Sequence, residues 1–147
     1  MNVSGHIFFE NIFKEHIDTP CEFIKTSQKR LRLRQCIHEG HDVLEALEEY
    51  KGLLDNVIDY VEHHSQQTLA YQPYFTWTVN GAAHKSTCWY YESLMVKTCM
   101  AKHLELEALA HIKEGEFKKA NKCLTKARDQ HQSVFDHELA LWSWKEP

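Results

Sequence analysis

The sequence predicts an all-α fold, an antiparallel helical bundle built around one helical hairpin, and three observations lead there. Residues 89–112 contain no proline or glycine, and Tyr91, Leu94, Met95, Thr98, Ala101, Ala108, Leu109 and Ile112 recur on one 3.6-residue face. Gly115 then follows Lys113 and Glu114, after which Phe117, Ala120, Leu124, Ala127, Val134 and Phe135 recur at steps of three and four residues. Helix, tight turn and returning helix are therefore expected over residues 88–145. A second strong period, formed by Val43, Leu44, Leu47, Tyr50, Leu54, Val57, Ile58 and Val61, predicts another helix over residues 41–64.

The turn has a further property. Its spacing, Gly115-x-Phe117-x-x-Ala120-x-x-x-Leu124-x-x-Ala127, is that of the second half of a tetratricopeptide unit, with Leu104, Ala108 and His111 matching the first half loosely. That places Leu124 and Ala127 against Leu104 and Ala108 in the core, with Phe117 plugging the turn. No second copy follows at a spacing of about 34 residues, so no repeat array is expected, and one such hairpin cannot bury its faces alone.

Composition bounds the remaining classes. A chain of 147 residues, 43% hydrophobic and 26% charged, is ordinary for a single globular domain. Its net charge of −4 argues against a generic nucleic-acid binder, which needs a concentrated basic face. There is no apolar run of membrane-spanning length and no charged segment leading into an apolar one at the N-terminus. Five scattered cysteines without a C-x-x-C pair (Cys21, Cys36, Cys88, Cys99 and Cys123) fit a reducing, cytoplasmic setting.

Within residues 1–20, the dense apolar set Ile7, Phe8, Phe9, Ile12, Phe13 and Ile17 predicts a first helix over residues 5–17, ended before Asp18-Thr19-Pro20. It either packs into the bundle or docks elsewhere. Residues 21–39 then carry Lys25, Lys29, Arg30, Arg32 and Arg34, interleaved with Leu31, Leu33 and Ile37. This run is either a solvated helix face or a patch for anionic lipid headgroups or phosphates, with nuclear targeting a third reading. Gly40 breaks the segment. Residues 65–87 lose the helical period and hold Tyr71, Pro73, Tyr74, Phe75, Trp77 and Asn80-Gly81. Alternation over residues 74–79 permits a short extended piece, but no matching strand is expected after Asn-Gly, so an ordered aromatic loop plugging the core is predicted.

Tyr50-x-x-Leu53-Leu54 on a helix, then Phe75-Thr76-Trp77, then helices with Tyr91, Leu94 and Ala101 and the Gly115-x-Phe117-x-x-Ala120 turn, together resemble the Bro domain of ALIX-type ESCRT adaptors. The resemblance spans about residues 25–135. It implies a non-catalytic scaffold that docks an amphipathic helix of an ESCRT-III subunit during trafficking or budding. The family's partner groove has no residue-by-residue match here, so it is not carried over.

His41-x-x-x-Glu45 and His131-x-x-x-x-Asp136 are similar to ligand spacings of hemerythrin-like di-iron bundles, but the His-x-x-x-His pair and any Glu-x-x-His are absent. His131, between Ala127 and Val134, is expected on the core face. Cys99 and His103 stand one turn apart without an evident activating group, and there is no phosphate loop or nucleophile elbow. No cofactor is expected and enzymatic function is not. The partner-binding candidates are Trp142, Trp144, Phe135, Phe8 and Phe9. Trp142 and Trp144 would point about 200° apart on a continuing helix, so one core face cannot hide both. Self-association through these apolar ends is a further reading, beside a helical metal protein and a lipid-surface or nucleic-acid binder.

Overall fold

The computed structural model describes residues 1–12, 22–63 and 73–140. The chain is mostly helical with a small sheet, and it divides into two compact units, Met1–Trp89 and Tyr90–Pro147. No helix among the described residues is long and apolar enough to cross a membrane.

In the first unit, strand β1 (Asn2–Ser4) leads through a 3-10 turn (Phe9–Asn11) to helices α1 (Glu22–Glu39) and α2 (Val43–His63), then to strands β2 (Phe75–Val79) and β3 (Ala82–Ser86). The three strands form one antiparallel sheet in the order β1-β2-β3, with Val3 opposite Trp77 and Trp77 opposite His84. Side chains alternate across a strand, so the register that buries Val3 also buries Phe75 and Trp77. α1 and α2 pack against each other, and α1 also packs on β1 and on the 3-10 turn. The core between them is aromatic. Phe9 lies 6.4 Å from Tyr50 and 6.1 Å from Trp89, Phe75 meets Trp89 edge-on at 5.1 Å, and Phe23 meets Tyr60 edge-on at 5.2 Å.

Two expectations are corrected here. Of the helix expected over residues 5–17, residues 5–12 hold only the 3-10 turn, and the residues just before them, Asn2–Ser4, form β1 by pairing with β2 more than seventy residues away. Residues 13–17 of that expected helix lie outside the described residues. Within the expected aromatic loop, residues 75–86 form a β-hairpin, and β3 is the strand judged missing. Asn80 and Gly81 both take left-handed φ values, 52° and 80°, as a two-residue hairpin turn matched to strand twist requires.

The second unit holds α3 (Trp89–Lys113, with all but its first residue here), α4 (Phe117–Ser133) and a π-helical turn (Val134–Leu139). The Gly115 turn is as expected, with φ at 75° and its N–H bonded to the Ile112 carbonyl at 3.1 Å. Pairs across the hairpin run in opposite sequence directions, His111 with Glu116, Glu105 with His131 and Lys97 with Ser133, so α4 returns antiparallel on α3.

Two substitutions probe these backbone assignments. Gly81→Val should destabilise the protein by more than about 1 kcal/mol, because a β-branched residue resists the left-handed turn. Gly52 sits mid-α2 with no heavy atom within 4 Å of a built Cβ, so Gly52→Ala should stabilise by about 0.5–1 kcal/mol. Urea melts followed by circular dichroism check both signs.

Candidate functional site

The hairpin of the second unit carries the site. Its buried seam is built from small side chains, with Ala101, Ala108, Ala120 and Ala127 all at 2% exposure or less. Small residues on facing helices permit close packing, and Leu104 and Val134 are buried with them. The sequence also places Leu109, Ile112, Phe117 and Leu124 in the core. The structure leaves them outside: Leu109 is 54% exposed, Ile112 43%, Phe117 66% and Leu124 45%.

These four residues share one flank. Glu105 and His131 bridge α3 and α4 at 3.2 Å, which marks that side of the hairpin. Leu109 stands one turn after Glu105, and Ile112 follows three residues on; Leu124 lies two turns before His131, and Phe117 two turns before Leu124. The result is an apolar strip along both helices, closed toward its far end by the Glu105–His131 pair. His131 is thus exposed and hydrogen-bonded to Glu105 rather than a core residue, because the crossing turns the alanines inward and rotates it outward.

The opposite flank is polar. Glu107, His111, Glu116 and Cys123 gather there, with His111 Nδ1 3.1 Å from Glu116 Oε2 and His111 Nε2 3.9 Å from Glu107 Oε1. Glu116 is held below the usual carboxylate range by its hydrogen bond from Lys119, then by the Lys119 charge, with His111 adding a smaller effect.

The open end of the hairpin is fastened by a buried ion pair. Lys97 Nζ lies 2.6 Å from Glu138 Oε1 and donates to Ser133 Oγ at 2.8 Å, while Ser93 Oγ donates to Glu138 Oε1 at 2.9 Å. Both charged side chains are over nine-tenths buried, and Glu138 Oε2 has no hydrogen-bond partner among the described residues.

The other candidates are scattered. Phe9 is fully buried among Tyr50 and Trp89, so it is a core residue and not a contact for a partner. Phe8 is 45% exposed and packs at a tilt against His6, ring centroids 4.0 Å apart, and Phe135 is 69% exposed in the π-helical turn. Trp142 and Trp144 lie outside the described residues. The basic run of α1 is not one patch. Arg30 is buried with Nη1 donating to the carbonyls of Ser4 and Gly5, and Lys29 and Arg32 both close on Glu49 of α2, at 2.8 and 2.7 Å. Lys25 and Arg34 are left exposed on α1. His41 and Glu45 are exposed and Asp136 accepts from Gln132, and among the described residues neither of the two di-iron-like spacings belongs to a cluster of three metal-capable side chains. The Cys99 thiol is pushed up to about 11 by burial, and burial also lowers His103, so this pair lacks the thiolate a nucleophile needs.

Comparisons with protein-family models, curated proteins and solved structures find no match for this chain.

Nothing in the sequence marks the apolar flank, since Leu109, Ile112 and Leu124 fit a core period as well as a surface one. The alanine seam is the one signal that could have revealed it.

Two measurements test the electrostatics of these elements. Lys97→Met alone strands the buried Glu138 carboxylate and should destabilise by about 3–5 kcal/mol, whereas Lys97→Met with Glu138→Leu should recover much of that loss in urea melts. Glu49 is held below its usual pKa, first by the hydrogen bond from Lys29 and then by that from Arg32. A depressed folded-state value contributes stability that is present above the unfolded value and lost as pH falls. Glu49→Gln should therefore flatten the fall in melting temperature between about pH 5 and about pH 3.

Proposed function

We propose that the protein is a non-catalytic, Bro-like adaptor that docks an amphipathic helix of a protein partner on the apolar flank of its α3–α4 hairpin. The observation that carries this reading is the exposed strip of Leu109, Ile112, Phe117 and Leu124. Contiguous large apolar side chains left in water mark interaction surfaces, and a groove between two helices suits a third helix with anchors at i, i+3 or i+4 and i+7. The order of elements supports the family resemblance. Tyr50 and Leu54 are buried on α2, Phe75 and Trp77 are buried on β2, and the glycine-turned hairpin follows. In this reading the protein works in the cytoplasm, in ESCRT-linked trafficking or budding, and Glu105 and His131 at the end of the strip set the polar limit of the bound helix.

The test uses fluorescently labelled C-terminal amphipathic helices of ESCRT-III subunits, titrated with the protein and followed by anisotropy. Saturable binding is expected, and Leu109→Glu with Leu124→Glu should weaken it by at least about tenfold while leaving the melting temperature nearly unchanged. Equal binding by the wild type and this variant would overturn the reading, as would no binding at all. Arg34→Glu, on the first unit, should leave the affinity unchanged.

A further inference from the structure

The polar flank of the hairpin holds a set of side chains that the adaptor reading does not use. Among the described residues, groups of three metal-capable side chains gather only around His111. In the first group the ligand atoms of Glu107, His111 and Cys123 all lie within 4.8 Å of one another, and in the second His111 meets Glu114 and Glu116. We propose that Glu107, His111 and Cys123 bind a zinc-type divalent ion across the hairpin, with Glu116 orienting the His111 ring.

Ring geometry separates the two groups. Glu116 Oε2 lies 3.1 Å from His111 Nδ1, and because a carboxylate accepts, Nε2 is the ring nitrogen left to face a metal. Nε2 faces Glu107, one turn earlier on α3, and the half-buried Cys123 on α4 is the third group of this cluster. An imidazole ligand whose other nitrogen is tied to a carboxylate is the arrangement that raises ligand basicity and fixes the tautomer in zinc proteins. Glu116 therefore acts as a positioning residue rather than as a ligand. Its own charge is already steadied by Lys119 at 3.2 Å.

Ligand chemistry selects the class of ion. A thiolate, an imidazole and a carboxylate make a borderline-soft set that suits zinc, whereas magnesium and calcium take oxygen ligands. Bond lengths of about 2.0–2.3 Å put tetrahedral ligand atoms about 3.5 Å apart. Glu107 is exposed and already turned toward His111 Nε2 at 3.9 Å, and the three ligand atoms start within 4.8 Å of one another. Three protein ligands leave a fourth position for water. The bond would tie the last turns of α3 to the second turn of α4 across Gly115, so binding would stiffen the hairpin that also carries the apolar flank. A bare Glu-His pair one turn apart is common on helix surfaces and would carry nothing. The thiol on the facing helix and the tied Nδ1 distinguish this one.

The experiment uses the full chain, stripped with chelator under reducing conditions and titrated with zinc and with cobalt(II). One equivalent of zinc should bind and raise the melting temperature, and cobalt should give thiolate-to-metal charge-transfer absorption with the visible bands of a tetrahedral ion. Cys123→Ser should abolish the charge-transfer absorption, His111→Ala should remove stoichiometric binding, and Glu116→Gln should weaken zinc about 10- to 100-fold. Cys36→Ser should change none of these readouts. Wild-type protein lacking the cobalt thiolate absorption would overturn the proposal. So would absorption that survives Cys123→Ser or is lost in Cys36→Ser, or zinc binding unchanged in His111→Ala. Circular dichroism of each variant shows that it is folded, and the wild-type cobalt spectrum decides the case without any variant.

Discussion

The buried pair of Lys97 and Glu138 is the constraint on which the hairpin depends. Two charges removed from water are stable only when each is answered by the other and by further hydrogen bonds. Ser93 and Ser133 supply those bonds, at 2.9 and 2.8 Å, from α3 and from the end of α4. The network fixes where the π-helical turn must lie, since Glu138 belongs to it and cannot move outward without stranding Lys97. At the other end Gly115 fixes the reversal. Between these two points the helices have little freedom to slide, and Ala101, Ala108, Ala120 and Ala127 are buried along them.

That seam determines what the hairpin shows to solvent. With Ala101, Ala108, Ala120 and Ala127 between the axes, the larger residues are displaced to the sides. One side receives Leu109, Ile112, Phe117 and Leu124, and the other receives Glu107, His111, Glu116 and Cys123. The two flanks are back to back on the same pair of helices. Any change in the spacing of α3 and α4 would reach both, so an ion bound on the polar side would also affect the apolar strip.

The first unit solves a different problem. Its sheet has three short strands, and β3 has a nearly fully exposed burial pattern, so the sheet is held by backbone pairing and by the aromatic side of β2. Arg30 is drawn inward to the carbonyls of Ser4 and Gly5, just after β1, and Ser27 accepts the Phe9 N–H at 2.9 Å while donating to Glu10 at 2.6 Å. Polar groups of α1 thereby hold the N-terminal segment in place. A basic run that reads as a surface feature is spent partly on the interior and partly on Glu49.

What the sequence determined by itself is local. Apolar spacing over α2, α3 and α4, and a glycine where the chain must reverse, specify helices and a turn, because both depend on neighbours within four residues. Features set by distant partners were beyond it. β1 forms because Val3 meets Trp77, and β3 forms because Asn80 and Gly81 fold an unpatterned Ala-Ala-His-Lys-Ser segment back onto β2. Periodicity could not distinguish Leu124 or His131 as core or surface, since both lie within about 60° of the buried alanines and only the angle of the crossing decides which side is covered. His111 and Cys123 are twelve residues apart on different helices, and nothing short of the packed hairpin brings a ring nitrogen and a thiol to within 4.8 Å.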